Sequence, residues 1–204
     1  MKSEEVGAFD AILAPVAPVR TPAPESAPNP GRCCMADWRA SREQVVHEHV
    51  ASENRHDFGE TVRTFCRPRY EIVPSGESHD GAEAVRRLLE ETHSAFPDMK
   101  IEHRRVHHAD EAVVVEATFH GTHRGAYRGL PPTLRRVEYA MCNVFVFEGD
   151  GLVCERLYFD RLLLLTQLGI ATEPLSWRGR AQMVLNHPWT ISRSFLRHLV
   201  RRRP

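Results

Sequence analysis

The hydrophobic pattern of this chain changes period near Pro97, and that change limits the possible folds more than any other feature. Before Pro97 the apolar residues mostly recur every three to four positions, with one short alternating stretch near residue 70; from Met99 to Phe159 they recur every second position. A period near 3.6 buries one face of a helix, and a period of two buries one face of a strand. In DWRASREQVVHEHVASENRHD, Trp38, Val45, Val46 and Val50 leave a polar opposite face, which predicts a helix from Asp37 that ends near His56. A second short helix is predicted over 58–66. RYEIVPSG then alternates and stops at Pro74 and Gly76, the pattern of a short strand. DGAEAVRRLLEETHSAF reads as the next helix, with Val85, Leu88, Leu89 and Phe96 on one face and Pro97-Asp98 as its stop.

Four strands follow: MKIEHRRVHH, EAVVVEATFHGTHRGAY, RRVEYAMCNVFVFEGD and LVCERLYFD, with a short helix at Arg161–Leu168 after them. Helices first and an antiparallel meander second define an α+β fold, a curved sheet wrapped on a helix layer. Gly121, Gly125 and Gly129 fall in or just after the longest strand, where bends let a sheet curl around a pocket.

Three segments are expected. Residues 1–34 carry six prolines in a low-complexity run that cannot bury enough surface to fold, and Met35 is a candidate start of the folded part. Residues 35–170 form the α+β domain. Residues 171–204 are a basic extension with a helical end, read first as a packing or subunit contact and second as a contact with a membrane surface or nucleic acid. With 27 basic and 27 acidic residues the net charge is zero, which argues against a general nucleic-acid binder. Only Lys2 and Lys100 are lysine, a bias expected of a GC-rich bacterial genome. Five cysteines without CxxC spacing point away from a disulfide framework or zinc ribbon and towards a reducing cytoplasm. No apolar run reaches the roughly 18 residues of a membrane span, and the acidic start followed by AILAPVAPV does not read as a signal peptide.

Few residues offer chemistry. The histidine pairs 47/49, 107/108 and 120/123 lack metal-site spacing, and His107 and His108 point to opposite faces of a strand, so no metal is expected. Cys142 and Cys154 lie in apolar strand patterns, and the chain has neither a phosphate-binding glycine loop nor a GxSxG elbow. Asp160 stands between Tyr158-Phe159 and four leucines. Its position first suggests the N-cap of the helix at Arg161–Leu168, and second a base made effective by a dry pocket. Parity puts Cys154, Arg156, Tyr158 and Asp160 on one face of the last strand. Tyr139, Met141, Asn143, Phe145 and Phe147 share a face of the preceding one. Which faces line a pocket stays open, because a bulge would exchange them.

FPDMKIE, GTHRGAYRGLPPT, RRVEYAMCNVFVFEGDGLV and above all ERLYFDRLLLLTQLG resemble the SnoaL-like polyketide cyclase family of the nuclear-transport-factor-2-like superfamily, over about residues 40–170. The resemblance implies a cone of sheet and helices around a deep pocket, no metal or organic cofactor, and intramolecular aldol closure of a polyketide ester. It implies Asp160 as the acid/base, with His123, Asn143, Glu155, Tyr158 and Tyr139 as candidates for positioning the substrate and its enolate. It also implies a homodimer and a small apolar or polyketide-like substrate. A non-catalytic ligand-binding or dimerisation module, and ketosteroid-isomerase-like or epoxide-hydrolase-like enzymes, share the superfamily. Leu134 stands after Pro-Pro-Thr, where the family has glycine, so that turn is expected to differ.

Overall fold

The computed structural model describes residues 32–201; residues 1–31, which hold nearly all of the proline-rich segment, and 202–204 lie outside the described part. Helix α1 (Arg32–Asn54) starts ahead of Asp37 and is followed by α2 (Phe58–Arg63), strand β1 (Arg69–Ile72) and a 3-10 turn at Val73–Ser75. Strand β2 (Glu77–Asp80), helix α3 (Ala82–Ala95) and the long strands β3 (Lys100–Ala109), β4 (Ala112–Thr122), β5 (Arg136–Glu148) and β6 (Gly151–Phe159) come next. Helices α4 (Arg161–Gln167), α5 (Trp177–Asn186) and α6 (Pro188–Arg201) complete the chain.

The strands form one curved, unclosed sheet in the order β2-β1-β6-β5-β4-β3, antiparallel except where β1 runs parallel to β6. The four long strands make the expected meander. The sequence reading missed β2: Glu-Ser-His-Asp has no apolar residue, and a polar edge strand leaves no alternation to detect. The reading also carried the second long strand to Tyr127, whereas β4 stops at Thr122. Beyond it the amides of Arg124 and Gly125 both donate to the carbonyl of Ala95, which pulls the chain off the sheet and onto the end of α3. A Cβ at Gly125 would lie 2.0 Å from the Ser94 carbonyl oxygen, so only glycine fits there.

The concave face holds the core. Val113, Val115, Ala117 and Phe119 of β4 and Val137, Tyr139, Met141, Asn143, Phe145 and Phe147 of β5 all point inward, which settles the face of β5. One residue decides the face of β6. Phe147 pairs with Leu152 but Val146 pairs with Cys154, so Val153 is an extra residue, a β-bulge. Parity reverses across it, and both Leu152 before the bulge and Glu155 after it become buried. Helices α1 and α3 cover this face with the stripes Val46-His49-Val50-Glu53 and Val85-Leu88-Leu89.

The turn before β5 has a backbone that suits glycine at position 134. Leu134 sits at φ 57°, in the left-handed region that costs a residue with a Cβ about 1–2 kcal/mol, and its side chain is exposed. The turn is held in that shape by the Leu134 amide, which donates to the His123 carbonyl at 2.9 Å. Leu134→Gly should therefore stabilise the protein by about 0.5–1 kcal/mol after the entropy glycine adds to the unfolded chain. Urea denaturation of the variant checks this, and an unchanged or lower midpoint counts against strain at this turn.

Candidate active site

The bulge in β6 and the polar stripe on α1 bring five polar side chains together in the apolar interior. His49, Glu53, Tyr70, Asn143 and Glu155 are each at most 2% exposed. Tyr70 on β1 lies beside Glu155 on β6 in the strand register. His49 and Glu53, one helical turn apart on α1, descend onto them. His49 Nε2 lies 3.0 Å from Glu155 Oε2 and 3.7 Å from Glu53 Oε1, and 2.8 Å from the Tyr70 hydroxyl oxygen. Tyr70 donates to Glu53 Oε1 at 2.6 Å, and Asn143 Nδ2 donates to Glu155 Oε1 at 2.8 Å.

These contacts fix the protons. The Thr64 hydroxyl gives its proton to the Thr61 carbonyl, so at 2.7 Å it accepts from His49 Nδ1–H. Tyr70 spends its proton on Glu53, so it accepts from His49 Nε2. Both ring nitrogens therefore carry hydrogen, and His49 is an imidazolium. Burial alone would lower its pKa, but the close carboxylates of Glu155 and Glu53 outweigh burial and raise it to about 9. One cation faces two buried carboxylates. Burial first, and the charge of Glu53 second, push the Glu155 pKa above its usual value, against the pull of His49 and Tyr70. Glu53 Oε2, Glu155 Oε2 and Asn143 Oδ1 have no aligned hydrogen-bond donor.

A cavity of about 80 Å³ opens on this cluster, with Glu53, Tyr70 and Glu155 at its polar end. Its walls are apolar, formed by Ile72, Leu88, Leu89, Met99, Ile101, Phe119, Tyr139, Met141, Leu157 and Phe159. His49 stands behind the polar end, its ring enclosed by Phe65 at 5.1 Å and Phe145 at 5.4 Å. A desolvated carboxylate backed by a fixed cation, at the end of a dry cavity, is suited to taking and returning a proton. Ligand atoms of His49, Glu53 and Glu155 also lie within 4.8 Å of one another, the one such set among the described residues. A divalent cation would have to displace the proton from Nε2.

Of the residues singled out from sequence, the structure brings together Glu155, Asn143 and Tyr139. Tyr139 is a cavity wall, stacked on Phe119 at 5.0 Å and tilted against Phe159 at 5.3 Å. The other three lie elsewhere. Tyr158 is on the outer face of the sheet and 43% exposed. His123 is buried against Phe96 and Tyr127, outside the cavity lining. Its Nδ1 accepts from the Thr133 amide at 3.1 Å, and burial lowers its pKa, so it is a neutral clasp for the 123–133 loop. Asp160 is exposed, and its Oδ1 accepts from the Leu163 amide at 2.9 Å as the N-cap of α4. His49, Glu53 and Tyr70 escaped the sequence reading. A signal was available, because positions 46, 49, 50 and 53 form one helical stripe, and a histidine and a glutamate on a buried stripe call for partners.

The charge of His49 makes stability depend on pH with a defined sign. Its folded pKa lies above the ordinary 6.5, so the ion pair contributes fully below pH 6.5 and is lost as pH rises through 9. The raised pKa of Glu155 acts in the same direction, from above pH 4.5. Urea midpoints measured from pH 6 to pH 10 should show a fall worth about 3 kcal/mol in the wild type. In Glu155→Gln, which removes the main partner, the fall should end at lower pH and be smaller. Superimposable profiles for the two proteins would sink the assignment.

Comparison with known proteins bears on this arrangement in two ways. The family model described as SnoaL-like polyketide cyclase matches residues 43–168, more than half of the chain. Among curated proteins none matches. Solved structures share the fold. AclR of Streptomyces galilaeus, a hydroxylase candidate, is 24% identical with a TM-score of 0.57, covering 66% of this chain and 88% of that one. A SnoaL-like polyketide cyclase candidate from Jannaschia sp. CCS1 is 18% identical with a TM-score of 0.59, covering 65% and 94%. IdmH of Streptomyces antibioticus, a polyketide cyclase candidate, is 23% identical with a TM-score of 0.53, covering 63% and 98%. By that family match, and with the curved, unclosed sheet described above, the chain belongs to the SnoaL-like polyketide cyclase family.

Proposed function

We propose that this protein is a cofactor-independent cyclase that closes a ring by an intramolecular aldol reaction, with Glu155 as the general base. The observation that carries this reading is a carboxylate of raised pKa at the polar end of an apolar cavity, held by Asn143 and a buried imidazolium. Glu155 takes a proton from a methylene flanked by carbonyl groups, and that C–H bond breaks as an enolate forms. The Tyr70 hydroxyl, which reaches the cavity, turns from Glu53 to the enolate oxygen. The enolate carbon then attacks a second carbonyl of the same molecule, one C–C bond forms, and the new alkoxide takes back the proton from Glu155. Nothing is oxidised or reduced. His49 does not touch the cavity and is a positioning residue, whose charge keeps Glu155 ionised often enough to act.

The cavity as it stands has about the volume of three waters, too small for a linear polyketide. A cleft of about 290 Å³, lined by Tyr127, Arg128 and Glu91, shares Leu88 and Thr92 with it as a common wall. The substrate spans both, with its reacting end towards Glu155 and its remainder in the cleft.

The family resemblance favours Asp160 for the same task, so the test compares the two carboxylates. Asparagine caps a helix as well as aspartate does, so Asp160→Asn keeps α4 intact. With a short poly-β-ketone thioester as substrate, Glu155→Gln should lower kcat/KM by roughly 10²–10⁴-fold, and Asp160→Asn by less than about tenfold. Loss of activity in Asp160→Asn with activity retained in Glu155→Gln would overturn the assignment. Activity should also survive dialysis against EDTA, and kcat/KM should rise with pH through the raised pKa of Glu155.

A further inference from the structure

The cone and its cavity leave the last thirty residues without a task. The family match ends at residue 168, and α5 and α6 follow it. Charge separates this arm from the rest of the protein. Seven arginines lie beyond Glu173, no acidic residue follows it, and residues 1–173 therefore carry a net charge of −7 within a chain of net charge zero. An asymmetry of this size points to a negatively charged partner.

The apolar residues say what kind of partner. On α5, at 3.6 residues per turn, Trp177, Ala181, Val184 and Leu185 share one side, with Arg178 and Arg180 on its two flanks. Trp177 is 76% exposed and Leu185 79%, while Gly179 on the other side is buried. On α6 the sequence puts Pro188, Trp189, Ile191, Phe195, Leu196, Leu199 and Val200 on one half of the helix, interrupted only by Ser192. Thr190, Arg193, Ser194, Arg197, His198 and Arg201 occupy the other half. Of this half, Trp189 is 81% exposed and Leu196 65%, while Ile191 is half-buried. Neither helix is long and apolar enough to cross a membrane.

We propose that α5 and α6 dock this protein on an anionic lipid surface. Both helices lie in the plane of the bilayer, with the tryptophans and leucines among the upper acyl chains and the arginines at the phosphates. Arg178 and Arg180 flank the apolar side of α5, where their stems can follow it into the interface and their guanidinium groups reach outward. A nucleic acid would satisfy the arginines but leave an apolar half-cylinder with two tryptophans in water. The acidic remainder of the chain is repelled by the same surface, so the arm is the part that faces it.

The test uses the full chain with vesicles of equal parts phosphatidylglycerol and phosphatidylcholine, and with vesicles of phosphatidylcholine alone. The protein should float with the anionic vesicles and not with the neutral ones, tryptophan emission should shift to the blue, and added salt should release it. Arg193→Gln with Arg197→Gln should weaken partitioning by roughly 20- to 30-fold, about fivefold for each charge. Trp189→Ser with Leu196→Ser should abolish it without changing cyclase activity. Three results would overturn the proposal. The first is no flotation with anionic vesicles. The second is equal flotation by the variants. The third is an arm whose alteration changes only the oligomeric state, or only binding to a DNA or RNA duplex.

Discussion

Everything at the centre of this protein depends on one imidazolium between two carboxylates. His49 is fully buried, and a charge there is tolerated only because Glu155, Glu53, Tyr70 and Thr64 surround it at hydrogen-bonding or ion-pair distance. Those partners come from α1, β6, β1 and the end of α2, so the contact that keeps the charge also fixes the helix layer on the sheet. The arrangement is not neutral: one cation faces two acids, and burial, with the charge of Glu53 second, raises the pKa of Glu155. A network built only for stability would have been cheaper as hydrocarbon. In the proposed reaction, that surplus of acid supplies a proton-accepting carboxylate at the end of the cavity.

The second constraint is the bulge at Val153. Without that extra residue, strict alternation from Leu152 would send Cys154 and Arg156 inward and Glu155 to the solvent side. Cys154 remains half of this compromise. It is buried at the bulge itself, and burial pushes its thiol up to about 11, which makes it an inert space-filler. Arg156 instead reaches Glu71 on the outer face at 2.7 Å. A one-residue insertion thus separates an ion pair on the outer face of the sheet from the buried carboxylate on its inner face.

Asp160 shows how one residue can satisfy a family pattern and a local rule together. The chain leaves β6, turns, and starts a helix, and an aspartate at that junction meets the first free amides of α4. Its carboxylate is engaged by the Leu163 amide and faces water, while Glu155, five residues earlier, reaches the cavity together with Glu53. The leucines after it divide as the helical period requires. Leu164 is buried, and Leu162 and Leu163 are more than a third exposed.

The sequence alone determined the α+β order, the helical stripes on α1 and α3, the four-strand meander and the cap at Asp160, because each is written in the spacing of neighbouring residues. It also marked Leu134 as a departure, and the left-handed backbone there gives the reason. Asn143, Glu155 and Tyr139 could be named from the sequence, but their shared location could not. Only the tertiary structure chose the face of β6, because a bulge leaves no sign in side-chain type. It alone joined His49 and Glu53 to Tyr70 and Glu155, residues up to 106 positions apart, since the hydrogen bonds and ion pairs that offset their desolvation link three elements and no local window contains them.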